Sequence, residues 1–211
     1  MGAGGGVEEG EVLDILSGLV EKSLVVVRGS NQGGVRYRLL EPVRQYAFQK
    51  LEESGQAEAA KRAQAEYFLA LAEEAEPQLT GPREVEWFDR LEKEHDNIRA
   101  ALIWSLEGAD PELELRLAGA MWTFWFWRGY YAEGRTWLEE ALGKEDRQSA
   151  IARAKALLGV GWQAHGQGDL DRMRKSATEG LTLSEEAGLG AGHRALFLNV
   201  LAEVAREEGV Y

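Results

Sequence analysis

Three positions, His95, His165 and His193, carry the chain's only histidines, and acid–base or metal chemistry would have to begin there. His95-Asp96 pairs an imidazole with a carboxylate. A metal site needs three or more converging ligands, however, and the other two histidines belong to distant stretches, so His95 reads as a polar helix position making local contacts. His165, with Trp162 nearby and Arg116 further upstream, could contribute to a polar catalytic pocket. That chemistry would require a closed cavity and a base held by a second polar group. Paired carboxylates recur at Glu52-Glu53, Glu73-Glu74, Glu139-Glu140, Glu185-Glu186 and Glu207-Glu208. They fall near helix ends or on exposed faces as solvated charge, without the opposed placement that glycoside hydrolysis uses. Gly188-Leu189-Gly190-Ala191-Gly192 has the glycines of a dinucleotide loop but no preceding strand, which makes it an interhelix turn. No Gly-x-x-x-x-Gly-Lys-[Ser/Thr] run occurs, so the backbone cradle and lysine that hold nucleotide phosphates are absent. The expectation is a non-catalytic chain with no cofactor and no metal.

Three glycine-led turns position whatever binding residues exist. Gly129-Tyr130-Tyr131, Gly168-Asp169-Leu170 and Gly209-Val210-Tyr211 recur 39 and 41 residues apart, each after a helix-length stretch rich in Ala, Leu and aromatics. A fixed period of this size implies stacked helix pairs, each unable to bury its apolar face without a neighbour. Helices are predicted at about 56–76, 82–107, 110–129, 131–142, 147–166, 170–187 and 191–208. The last turn falls at Tyr211, so the array is expected to stop halfway through a unit. Upstream, Val12, Ile15, Leu16, Leu19 and Val20 form one helical stripe. Leu24-Val25-Val26-Val27 and the alternating Val35-Arg36-Tyr37-Arg38-Leu39 make a hairpin around a flexible turn at 29–34, and Pro42 opens a helix closed by Gly55. The predicted fold is mainly α: a helix-pair solenoid over 56–211, preceded by a flexible 1–10 and a helix–hairpin–helix segment over 11–55.

Composition narrows the partners. Twenty-four Lys and Arg against 36 Asp and Glu give a formal charge of −12, a field that repels the phosphates on which nucleic-acid affinity depends. The absence of cysteine removes disulfides and thiolate metal sites and fits a reducing cytoplasm, the expected location. No apolar run has the length of a membrane span, and the Gly-rich start has neither the basic nor the apolar block of a secretion signal.

Two resemblances follow from particular residues. Gly129, Tyr131, Leu138, Ala141 and Leu142, and again Val160, Gly161, Gly168, Leu170 and Leu181, stand where a tetratricopeptide-like repeat has its turn and packing positions. Met173 and Gly180 depart from that pattern, occupying places where alanine is usual, and the period exceeds the standard one. More broadly, Val12-Leu13-Asp14-Ile15-Leu16, Leu19 to Val25, Arg36 to Ala47 and Glu94 to Leu102 resemble, in order, the linker region of bacterial signal-transduction ATPase (STAND-type) transcriptional regulators. In that family a nucleotide-binding module precedes a winged helix and tetratricopeptide-like sensor repeats. The resemblance implies a fragment that begins inside the winged helix and an ATPase module upstream of it in a longer parent.

A winged helix could read DNA through the helix starting at Glu11, with Arg28, Arg36 and Arg38 of the hairpin on phosphates. Glu8, Glu9, Glu11, Asp14 and Glu21 place negative charge on that helix, so direct DNA binding is not expected. The binding surface is expected on the repeats. The aromatic block Trp122-Thr123-Phe124-Trp125-Phe126-Trp127 cannot face one neighbour with every ring, so one or two should enter a groove or meet another protein. The repeat pattern sends Arg116, Thr123, Phe126 and Trp127, then Lys155, Leu158, Trp162 and His165, then Asn199 and Arg206, toward the concave side. Aromatic faces beside cationic and amide donors suit a protein or peptide partner or a small effector. Leu196, Phe197, Val200, Leu201 and Val204 are expected to leave an apolar edge through which two copies could pair.

Overall fold

In the computed structural model the described residues are 9–29, 35–144 and 149–209. The expected flexible stretch up to residue 8, the turn at 30–34, the predicted helix start at Arg147 and the final Val210-Tyr211 lie outside them. The chain divides into two compact units, Met1–Ala63 and Gln64–Tyr211.

In the first unit α1 (Glu9–Glu21) stops at Ser23, whose φ of 57° is left-handed. Ser23 donates its amide to the Val20 carbonyl at 2.9 Å and Leu24 donates to Leu19 at 3.0 Å, the paired bonds that satisfy a helix end at such a residue. Strands β1 (Val25–Gly29) and β2 (Val35–Leu39) pair antiparallel, from Val25 opposite Leu39 to Gly29 opposite Val35. Helix α2 (Glu41–Glu53) then begins with Pro42 in its first turn, and the chain leaves it through Gly55 at φ 72°. The helix–hairpin–helix order is the predicted one. Val25 is buried, whereas Leu13, Ile15, Val27, Tyr37 and Tyr46 are exposed.

The helical array contains, in chain order, α3 (Ala57–Ala75), a 3-10 turn at Glu76–Gln78, α4 (Glu84–Trp104), α5 (Pro111–Arg128), α6 (Tyr131–Leu142), α7 (Ala150–Gly166), α8 (Leu170–Glu186) and α9 (Ala191–Glu207). Local chemistry sets their ends. Asp110 caps α5 by accepting the Leu113 amide at 3.1 Å, Ser149 caps α7 by accepting that of Ala152 at 3.0 Å, and Asp169 caps α8 by accepting that of Arg172 at 3.0 Å. The recurring glycines stop the chain from continuing as helix: Gly129, Gly168 and Gly209 have φ of 78°, 74° and 71°, a region that costs glycine nothing. One departure is that α4 does not run smoothly to Gly108 but ends in a π-turn over Ser105–Ala109. Lys144 closes it, donating to the Leu106 carbonyl at 2.6 Å while pairing with the Glu114 carboxylate at 2.7 Å. Glu114 is completely buried, and that burial pushes its carboxyl above the ordinary range against the pull of Lys144.

Packing follows the expected pairs. Helix α5 lies against α6, α7 against α8 and α8 against α9, while α5 also meets α7 and α7 meets α9. With α6 as well, helix α7 touches four neighbours. Its buried residues mix Leu157, Leu158 and Val160 with Ala152, Ala154, Ala156, Gly159, Gly161 and Ala164, and at the glycines large side chains of other helices approach its backbone. A β-carbon on Gly159 would stand 2.7 Å from that of Trp122. Gly180 of α8, which departs from the alanine of the repeat pattern, has a physical reason: a β-carbon there would stand 2.2 Å from the Phe197 ring. The apolar edge expected on α9 is narrower than predicted. Phe197, Val200 and Val204 are buried, Leu201 is half-buried, and Leu196 and Leu198 are the exposed apolar positions.

Replacing Gly180 with alanine should therefore drive Phe197 off its seat and cost about 1–3 kcal/mol, as overpacking does. Urea unfolding followed by circular dichroism should show an earlier midpoint than for Thr178→Ala on the exposed face of the same helix.

Candidate binding groove

Of the residues that the repeat pattern sends to one side, all but Asn199 and Trp127 fall in three successive neighbourhoods along α5, α7 and α9. At the first, Arg116 of α5 donates two hydrogen bonds to the Glu73 carboxylate, at 2.9 and 2.8 Å. Lys155 of α7 pairs with Glu76 at 2.7 Å. These two of the expected groove cations are therefore partnered by acids from the end of α3 and the turn after it, 43 and 79 residues away in sequence. A bidentate arginine–carboxylate pair is the geometrically stronger of the two kinds.

At the second, a cleft of about 280 Å³ opens between α5, α7 and α9. Trp122, Thr123, Leu158 and Phe197 line it, with Ile151 and Leu196 at its margin and Lys155, Glu76 and His193 as its polar groups. Ile151 and Leu196 are 55% and 49% exposed, while Thr123 and Leu158 are buried in the wall. Thr123, Lys155 and Leu158 were expected here. Ile151, His193, Leu196 and Phe197 were not, because the cleft depends on the offset between successive helices.

The third is a ring cluster. Phe126 of α5 meets Trp162 edge-on at 5.7 Å and lies nearly parallel to His165 at 6.5 Å, and Trp162 meets His165 edge-on at 5.7 Å. His165 faces α9, where Glu203 comes within 4.0 Å of its Nε2. Arg206 sits between Glu203 and Glu207, 2.6 and 2.5 Å from their carboxylates, and holds that of Glu203 below its usual range. Arg116, the third residue of the pocket expected around His165, lies apart from this cluster and is held by Glu73.

Two expected positions fall elsewhere. Asn199 is exposed on α9 away from the cleft lining. Trp127, 67% exposed, is the ring of the aromatic block that turns outward, whereas Phe124 and Trp125 are fully buried. Its side chain borders a second cavity of about 490 Å³ with Leu79, Val85, Phe88 and Arg128.

His95 is a structural histidine, buried between helices. The Trp125 indole donates to its Nε2 at 3.2 Å, so the neutral ring carries its proton on Nδ1. The Glu133 carboxylate of α6 lies 3.2 Å from the same nitrogen and is held by Arg99 through two bonds of 2.6 Å. Burial lowers the imidazole pKa from its ordinary 6.5, with Glu133 opposing and Arg99 assisting.

Comparison with known proteins adds three findings. Residues 3–52, which include α1, the hairpin and most of α2, match the family of winged helix-turn-helix domains. The chain is 39% identical over 161 residues, 74% of its length, to proteins of Mycobacterium tuberculosis and Mycobacterium bovis, each named a "Putative HTH-type transcriptional regulator". It spans 18% of the length of those relatives. No solved structure matches. The winged-helix expectation is thus met, and it falls on the segment for which charge argued against DNA. Among the described residues one helix, α1, precedes the hairpin.

The folded state should bind fewer protons at His95 than the unfolded chain does. Its contribution to stability is then present above pH 6.5 and lost as pH falls through the lowered folded value. His95→Gln, which can still accept from Trp125, should flatten the pH dependence of the unfolding free energy just below pH 6.5. Equal slopes in both proteins would contradict the assignment.

Proposed function

We propose that this chain is the sensing and interaction segment of a transcriptional regulator, with tetratricopeptide-like repeats that bind a protein or peptide partner in the α5–α7–α9 cleft and catalyse nothing. The observation that carries the reading is the cleft itself: exposed Ile151 and Leu196 flank an apolar floor formed by Trp122 and Phe197, with polar groups only at its edge. Such a surface suits an amphipathic helix or an extended apolar peptide. The relatives' length, more than five times the matched segment, leaves ample room for the STAND-type ATPase module implied by the sequence resemblance. Binding in the cleft would join α5, α7 and α9 and bias such a module between states.

In this reading the winged helix is a packing element. The exposed face of α1 carries Leu13 and Ile15 among Glu11, Asp14 and Glu21, a surface that fits protein and repels phosphate. A second reading, DNA contact, is favoured by the winged helix-turn-helix match, with Arg36 and Arg38 of β2 as the wing cations.

A random-peptide display selection on the full chain should yield binders whose affinity falls at least tenfold in Leu196→Glu and Ile151→Glu. Both positions are exposed, so the fold should survive these substitutions. Binders insensitive to both would sink the cleft. Anisotropy of a labelled mixed-sequence DNA duplex at low salt should not change on adding protein; a salt-sensitive increase that Arg36→Ala and Arg38→Ala abolish would install the second reading.

A further inference from the structure

His165, Glu203 and Glu207 are far apart in sequence yet offer one imidazole and two carboxylates whose ligand atoms all lie within 4.8 Å of one another. Glu203 and Glu207 are one turn apart on α9 and so project from the same face. His165 reaches them from α7, its plane set by Phe126 and Trp162. Two donors on one zinc ion, each at about 2.0–2.2 Å, are about 3–3.5 Å apart in tetrahedral geometry. Closing the present spread takes a rotation of the carboxylates, and Glu207 is exposed and Glu203 only half-buried. A cation already occupies the centre of negative charge: the Arg206 guanidinium bridges both carboxylates at 2.6 and 2.5 Å.

We propose that His165, Glu203 and Glu207 form a site for a first-row divalent cation, and that Arg206 fills its place when no ion is bound. The donor set, nitrogen and oxygen without thiolate, suits Zn²⁺, Mn²⁺ or Ni²⁺. Three protein ligands leave further coordination positions to water. A bound ion ties α7 to α9 beneath the ring cluster and stiffens the junction of two repeats. The competing arginine separates such a site from surface carboxylates that gather ions non-specifically: its removal should strengthen binding.

The test is calorimetric titration of the chelator-treated full chain with zinc chloride. One equivalent should bind to the wild type, at least tenfold more weakly to His165→Ala and Glu207→Gln, and at least fivefold more tightly to Arg206→Ala. The melting temperature should rise with zinc in the wild type and Arg206→Ala but not in Glu207→Gln, whose exposed position guards against misreading a folding defect at His165. Absence of one-equivalent binding by the wild type would overturn the proposal. Binding of equal strength in Glu207→Gln and His165→Ala would do the same, placing the ion elsewhere among the carboxylates.

Discussion

The array depends on how closely the neighbours of α7 can approach its backbone. Four helices pack on it, and two of its contacts reach the backbone because the residue there is glycine. Gly159 admits Trp122, and Gly161 faces Ser176 and Val200, with Val160 buried between them. The large partners then supply the apolar area: Trp122 and Leu138 from the preceding pair, Met173 from α8 and Val200 from α9. Burial between successive helices in this manner orders α5, α7 and α9 side by side, and only that order creates the cleft and the His165 cluster.

Charge plays a different part from the one that composition suggests. The excess of acid is not simply a repulsive coat, because many carboxylates hold cations between elements. Glu73 takes Arg116, Glu76 takes Lys155, Asp169 takes Arg135, and Glu139 takes Arg172. Exposed pairs of this kind contribute little stability each, but they decide which cations remain to meet a ligand. Arg116 and Lys155 face the groove with their charge already matched. In the proposed reading, recognition in the cleft is therefore mainly apolar, and a partner would be selected by shape and apolar content.

Much of the fold was legible because its signals are local. The left-handed glycines at 129, 168 and 209 and the cap at Asp110 mark helix ends through bonds within a few residues, and α6 runs from Tyr131 to Leu142 as predicted. The groove was legible in part, since Thr123, Lys155 and Leu158 share a helical phase fixed by the repeat. Trp127 went astray because it lies in the last turn of α5, where the helix overhangs its neighbour and the ring turns toward Val85 and Phe88. The acids opposite Arg116 and Lys155 lie outside the repeat period, so no periodicity could find them. Counting only histidines likewise hid the meeting of His165 with two glutamates of the next helix pair.

That meeting and the cleft share one geometric origin. Helix α9 presents Leu196 and Phe197 to the cleft, and Glu203 and Glu207 about two turns further along to His165. Any displacement of α9 against α7 must alter both at once, because the two sites lie along the same helix contact and Val200, buried between them, packs against Gly161. A ligand that wedges Phe197 would change the spacing between His165 and the carboxylates, and a cation drawing those groups together would resist the wedge. Such coupling needs no relay of side chains, only the stiffness of α9 and the absence of side-chain slack at a glycine.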